Sequence, residues 1–122
     1  MTLIPGVLDF THVQNKGAAW SLFHQTPDLL LLLVLFFSLG LLVLLFKAHF
    51  HHTLEHVIFA LLLGGAVGNL FDRLQFGAVT DFIDAVFIPN YPIFNVADIC
   101  ISSAVILLIV GYLRGLWPKQ SH

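Results

Sequence analysis

Long apolar runs alternating with short polar stretches divide the chain into spans and connectors. Leu29 to Phe46 reads LLLLLVLFFSLGLLVLLF, 18 residues without a charge. As a helix it is about 27 Å long at 1.5 Å per residue, enough to cross the hydrocarbon of a bilayer. A polar connector, KAHFHHTLEH from Lys47 to His56, separates it from a second apolar run, Val57 to Phe71. That run is short, so the span takes in flanking residues and ends near Asp72 and Arg73. The third run, NVADICISSAVILLIVGYL from Asn95 to Leu113, stops before Arg114, Trp117 and Pro118. Predicted spans are therefore residues 28–46, 56–73 and 95–113, joined by loops at 47–55 and 74–94. Residues 1–27 are mixed: LDFTHVQ alternates as a short strand does, and NKGAAWS suits a turn. The start lacks a basic segment followed by a long apolar core, so it does not read as a cleavable signal peptide.

Composition agrees with lipid as a solvent. Of 122 residues, 58% are hydrophobic and 10% charged, with a mean hydropathy of +0.93. A soluble domain of this size could not hide that much apolar surface. The class is thus an α-helical membrane protein with three transmembrane helices and a single membrane-embedded domain over 1–122. Five Lys and Arg against seven Asp and Glu leave no basic face, which sets nucleic acid aside. The single cysteine, Cys100, lies within an apolar run and reads as a small hydrophobe, so redox chemistry has no support.

Charge also orients the chain. Lys47 and the connector histidines share one side with Arg114 and Lys119, which the positive-inside rule makes cytoplasmic. Lys16, Arg73, Asp81 and Asp84 then lie outside, with Trp117 and Trp20 as interfacial anchors at opposite boundaries. Residues 1–27 are also placed outside, and nothing in them explains their crossing. A segment upstream of Met1 is therefore expected.

Candidate chemistry gathers between Gly64 and Asp84, GGAVGNLFDRLQFGAVTDFID, where an apolar run ends in amide, acid and base side chains. Ionisable groups at the end of a span are costly and point to function. Asn69 and Arg73 are four apart and share a helix face beside Asp72; the bland reading is an interfacial Arg paired locally with that acid. Asn95 and Asp98 open the third span, and as an N-cap and a first-turn acid they need no further role. A span–loop–span hairpin nevertheless returns Asp98 to the membrane face that holds Asp81. Two carboxylates held close do not both ionise easily, so one keeps a proton and acts as acid while the other is base. Such a pair activates water against an amide carbonyl without metal or cofactor. Asp84 is three residues beyond Asp81, and if the segment is helical both face one way, so spacing cannot choose between them. Asn15 and Lys16 precede Gly17 in a turn sequence with a solvated lysine as its plain reading. Gly64, Gly65 and Gly68 form a small-residue packing face, while Ser102 and Ser103 can bond back to the preceding turn.

A rival motif is His52-Thr-Leu-Glu55-His56, an H-x-x-E-H pattern with both histidines on one helical face, as in inverted zinc proteases. It lies in a stretch already rich in histidine, and the candidate third ligands fall on the other side of the membrane. A further alternative is a transport or scaffold protein whose carboxylates relay protons or pair helices.

NKGAAWS, GNLFDR, VTDFID and FNVAD, in this order and at these spacings, resemble the lipoprotein signal peptidase family, the bacterial signal peptidase II enzymes. The resemblance covers almost the whole chain. It implies an aspartic endopeptidase of the bacterial plasma (inner) membrane that cuts the signal peptide from diacylglyceryl-modified prolipoproteins just before the lipidated cysteine, and that is blocked by globomycin. By motif, Asp81 and Asp98 match the family's catalytic dyad, which selects Asp81 over Asp84. Asn15, Asn69, Arg73 and Asn95 match its polar residues around substrate and inhibitor. The resemblance further implies an extracytoplasmic β-rich cradle near Leu8 to Ser21 and a mobile loop from about Asp84 to Pro92. Phe87, Ile88 and Tyr91 would lie over the lipid substrate. The family has four spans, and this chain begins after the first, so a fragment, a late start, a working three-span enzyme and an inactive truncated relative all stand as readings.

Overall fold

A computed structural model describes residues 1–18 and 22–117. Among the described residues three helices are long and apolar enough to cross a membrane: α1 (Pro27–Lys47), α2 (Thr53–Phe76) and α3 (Val96–Leu113), with mean hydropathies of 3.2, 1.6 and 2.3. Their surfaces carry exposed large apolar side chains such as Phe36, Phe71 and Ile106, as helices solvated by lipid do. Local signals set their ends. Pro27 opens α1, where its missing N–H costs nothing, Asp28 lies in the first turn and Lys47 in the last, each favoured by the helix dipole. Gly77 closes α2 in the left-handed region, φ 72°, which a side chain would strain. α2 is longer than the expected 56–73 and takes His56, Glu55 and Thr53 into its first turn and Arg73 into its last.

Three short strands form an antiparallel sheet in the order β1 (Thr2–Ile4), β2 (Leu8–Asn15), β3 (Val79–Ala85). β2 covers the whole of the alternating LDFTHVQ run and adds Asn15. β3 lies within 74–94, where a loop was expected. The register runs from Leu8 opposite Ala85 to Asn15 opposite Val79, with an irregularity between Phe10 and Val13. VTDFIDA is rich in β-branched and aromatic residues, and β2 supplies the partner it needs. Hydropathy, which drew the span boundaries, does not register such a strand.

The strand also overturns the helical possibility for Asp81 and Asp84. Side chains three apart on a strand point to opposite faces. Asp81 is buried, 3% exposed, whereas Asp84 sits opposite Asp9 of β2. β3 is held at its far end by Phe94, which pairs with Ile83.

α2 packs against both α1 and α3. Gly65 makes the closest approach to α3: a Cβ there would lie 2.5 Å from Ile101 Cγ1 and 2.7 Å from the Ala97 carbonyl oxygen. Gly68 faces Ala97 at ordinary contact distance. Gly64 does not belong to this face, since nothing lies within 4 Å of its Cβ position. Leu41 of α1 packs with Phe59 and Ala66 of α2. Trp117, expected as an interfacial anchor, folds back over Gly111 and directs Nε1 at the Leu108 carbonyl, 3.4 Å away. Trp20, Ser21 and Lys119 lie outside the described residues.

Candidate active site

The polar residues singled out from sequence come together where the C-terminal end of α2, β3 and the first turn of α3 meet the β2 turn. Asn95 is the N-cap of α3. Its Oδ1 accepts from the Asp98 N–H at 2.9 Å, and Asp98 Oδ2 accepts from the Asn95 N–H at 3.1 Å, a reciprocal capping box. The plain capping reading of these two residues is therefore correct. It does not exhaust them. The other end of the Asn95 amide, Nδ2, donates to Asp81 Oδ1 at 3.0 Å and to Asn69 Oδ1 at 3.0 Å, with the Thr80 carbonyl at 3.4 Å.

Asn69 reaches across from α2, its Nδ2 donating to Asp98 Oδ1 at 3.1 Å. Two amides thus join the two acids: Asp98 accepts from Asn69, Asn69 accepts from Asn95, and Asn95 donates to Asp81. Asn69 and Asn95 are buried, and a buried side-chain amide is costly unless its donors and acceptors are used. Every polar atom of Asn95 is used here. The cap fixes the backbone of α3, and the same residue fixes Asp81 against it.

Asp81 receives a second donor from the turn after β2. Asn15 Nδ2 lies 3.1 Å from Asp81 Oδ2, while Asn15 Oδ1 accepts from the Gly17 N–H at 2.9 Å. Arg73 meets the same turn, with Nη2 3.3 Å from the Gly17 carbonyl, and its buried Nε has no hydrogen-bond partner among the described residues. Gly17 has no space for a side chain, since a Cβ would fall 2.5 Å from the Leu22 carbonyl oxygen. The local pairing of Arg73 with Asp72 is replaced by a different division: Arg73 holds the turn, and Asp72 Oδ2 accepts from the Thr80 N–H at 3.3 Å.

Burial pushes the Asp81 carboxyl above the ordinary aspartate range, and the nearby Asp98 charge adds to this. The Asn15 and Asn95 donors and the Arg73 charge act in the opposite direction, favouring the ionised form. The net is an acid that holds its proton to higher pH than an exposed one.

Asp81, Asp98, Asn15, Asn69 and Arg73 line one cavity of about 400 Å³. Tyr91, Pro92, Ile93 and Phe94, from the connection between β3 and α3, cover one side of it, and Ile101 and Ser102 lie one helical turn beyond Asp98. Ser102 is thus placed at the cavity, where the sequence suggested no role. Tyr91 is partly exposed at its wall, with its ring meeting Phe94 edge to face, and Phe87, exposed in the same connection, does not line it. Asp84 does not line the cavity. The sequence reading missed the Asp72–Thr80 contact, the Gly17 carbonyl and the Pro92, Ile93 and Phe94 part of the cavity wall. Only the strand pattern of VTDFIDA could have signalled the first of these, by placing Thr80 on an edge.

His52, Glu55 and His56 lie at the opposite end of α2. His56 Nδ1 is 3.0 Å from the His52 carbonyl, an ordinary intrahelical contact. No three His, Cys, Asp or Glu side chains among the described residues converge to hold a metal ion.

Comparison with known proteins bears on the whole arrangement. Residues 1–114 match the family model for signal peptidase (SPase) II. A lipoprotein signal peptidase of Gloeobacter violaceus is 46% identical over 93% of this chain, and one of Microcystis aeruginosa is 41% identical over 89%. The chain spans 65% and 70% of the lengths of these relatives. A solved bacterial membrane enzyme superposes with a TM-score of 0.84 at 32% identity, covering 99% of this chain and 74% of that one. The fold matched is that of a membrane enzyme, and the chain belongs to the signal peptidase II family.

Proposed function

We propose that the chain is an intramembrane aspartic endopeptidase that removes signal peptides from diacylglyceryl-modified prolipoproteins, cleaving before the lipidated cysteine. The observation that carries this reading is the junction of Asp81 and Asp98 through the Asn69 and Asn95 amides at the wall of a cavity. Two acids on separate elements, tied by shared donors, are suited to hold one proton between them.

In this mechanism burial favours Asp81 as the holder of the proton, and Asp98 as the base. Asp98 takes a proton from water as the water oxygen adds to the scissile carbonyl carbon. Asp81 donates a hydrogen bond to the carbonyl oxygen, which becomes the hydroxyl of a tetrahedral intermediate. The C–N bond breaks as Asp98 passes the proton it took from water to the leaving amine and one hydroxyl of the intermediate returns a proton to Asp81. This leaves a free carboxylic acid and a dyad that again holds one proton. Asn69 and Asn95 orient the acids throughout. The unpartnered Nε of Arg73 is available to a substrate carbonyl at the cavity wall.

The substrate's acyl chains enter from the bilayer beside the exposed Phe87 and Tyr91. Lys47 and Arg114 close α1 and α3 at the end away from the dyad, which favours a bacterial inner-membrane orientation with the site near the extracytoplasmic face. A globomycin-type cyclic peptide would compete for the same cavity. The test is incubation of the purified chain in lipid with a diacylglyceryl-modified prolipoprotein, with mass analysis of the products. A fragment ending just before the lipidated cysteine is expected; equal cleavage of the unlipidated precursor, or none of either, contradicts the reading.

A further inference from the structure

Among the described residues β2 is the only strand paired with β3, and Phe94 covers its other edge only around Ile83, so the outer edge at Thr80 exposes backbone groups that another element must satisfy. At Thr80 two groups from different helices do so. The Thr80 N–H donates to Asp72 Oδ2 at 3.3 Å, and its carbonyl accepts from Asn95 Nδ2 at 3.4 Å. The Thr80 hydroxyl is held from the other strand by Gln14 Nε2, 3.3 Å away. The residue just before Asp81 is therefore gripped at its N–H, its carbonyl and its side chain.

Because the peptide unit is planar, fixing the Thr80 carbonyl also fixes the N–H of Asp81 and the direction in which that residue leaves the strand. Asp72 is three residues after Asn69 and one before Arg73, on the helix that also carries both of them. Its bond to Thr80 thus ties the strand that presents Asp81 to the helix that reaches Asp98. A carboxylate accepting a backbone N–H makes a stronger bond than a neutral acceptor. An acid one turn from a helix C-terminus is otherwise poorly placed against the dipole, which argues for a use at this position.

We propose that Asp72 is a positioning residue, which by accepting the Thr80 N–H sets the distance and aim of Asp81 relative to Asn69 and Asp98. The kinetic consequence rests on the aspartic reading above; the structural one does not. Asp72→Ala removes the acceptor, whereas Asp72→Asn keeps an oxygen that can accept the same N–H and loses the charge.

The experiment compares the full chain and both variants in lipid. It measures cleavage of a synthetic peptide bearing a diacylglyceryl cysteine, alongside amide hydrogen exchange over β3. For Asp72→Ala the expected result is a kcat lower by about tenfold to a hundredfold with KM unchanged, since a small misplacement of a reacting group has a cost of that order. Exchange at Thr80 should accelerate while α1 stays protected. Asp72→Asn should recover most of kcat and of the protection. Unchanged Thr80 exchange in Asp72→Ala overturns the proposal, as does a rise in KM with kcat intact, which would make Asp72 a substrate contact. If Asp72→Ala does not fold, Asp72→Asn decides: folded but as inactive as Asp81→Asn, it shows that charge and not acceptance matters. If the wild-type chain cleaves nothing, the functional reading fails, and the exchange data still decide whether Asp72 clamps the strand.

Discussion

The two ends of the helical bundle both carry a dense set of polar side chains, and only one of them is built. At the end near Asp81, side chains from β2, α2, β3 and α3 converge, and the amides of Asn15, Asn69 and Asn95 each touch an acid. At the other end, His52, Glu55 and His56 follow one another along a single helix. The one described side-chain hydrogen bond within the motif is His56 to the His52 backbone carbonyl. A buried oxygen of Glu55 has no partner among the described residues, and it borders an apolar cavity of about 370 Å³ lined by Phe50, Ile58 and Trp117. Spacing along one helix places side chains on a face; convergence from separate elements places them on one another. The second is the better sign of chemistry, because every buried polar group at such a junction is costly unless the fold supplies its partners.

That contrast can be broken at its packing first. Gly65→Ala forces a Cβ against Ile101 and the Ala97 carbonyl, so α3 must shift from α2 and draw Asp98 away from Asn69. A loss of about 1–3 kcal/mol in stability is expected from such overpacking. Cleavage should fall with it. Gly64→Ala, which meets nothing, should be neutral or stabilising by up to about 1 kcal/mol through helix propensity. Thermal unfolding in detergent and a cleavage assay on the two variants test the pair, and equal effects would show that the helix face has been misplaced.

A smaller effect is expected in pH dependence. The Asn15 donor favours ionised Asp81, so Asn15→Ala removes an influence that holds its pKa down. The Asp81 carboxyl should rise further, and the pH range of cleavage should move upward. The sign for stability follows from the same shift. A carboxyl raised on folding favours the folded state below its unfolded pKa, and that contribution is lost as pH rises through the folded value. Asp81→Asn should therefore be at least as stable as wild type near neutrality, with its advantage shrinking as pH falls. A downward displacement of the Asn15→Ala profile would contradict the assigned direction. The smallest effect belongs to the other end: Glu55→Gln and added chelator should leave cleavage unchanged, and loss of activity with either would restore the zinc reading.

Much of this was legible in the residues. Long apolar runs specify α1 and α3 because lipid demands apolar surface over a fixed length, and the ends of α2 escaped because residues 53–55 and 74–76 belong to the helix yet lie at or beside the charges of Glu55, Asp72 and Arg73, which lower its hydropathy. Asn95 and Asp98 could be read as a cap from their spacing, while their contacts with Asn69 and Asp81 depend on how α2 and α3 pack. β3 was taken for loop, although its β-branched and aromatic residues were visible, since a strand has no reason to form until β2 is beside it. Once it is a strand, Asp84 turns away from Asp81, a distinction that spacing alone left open. Asp72 was assigned to Arg73 as a neighbour in sequence, and its partner at Thr80 lies across a turn that only the fold closes.

The most direct test of the central claim replaces each acid by its amide and follows cleavage of a purified, diacylglyceryl-modified prolipoprotein in lipid. Asp81→Asn and Asp98→Asn should each reduce turnover by roughly 100- to 10,000-fold, the range for losing a general acid or base. The double variant should be little worse than either single one, because the pair acts as a unit. Cleavage at the wild-type rate by either single variant would show that the joined carboxylates are not the chemistry of this site.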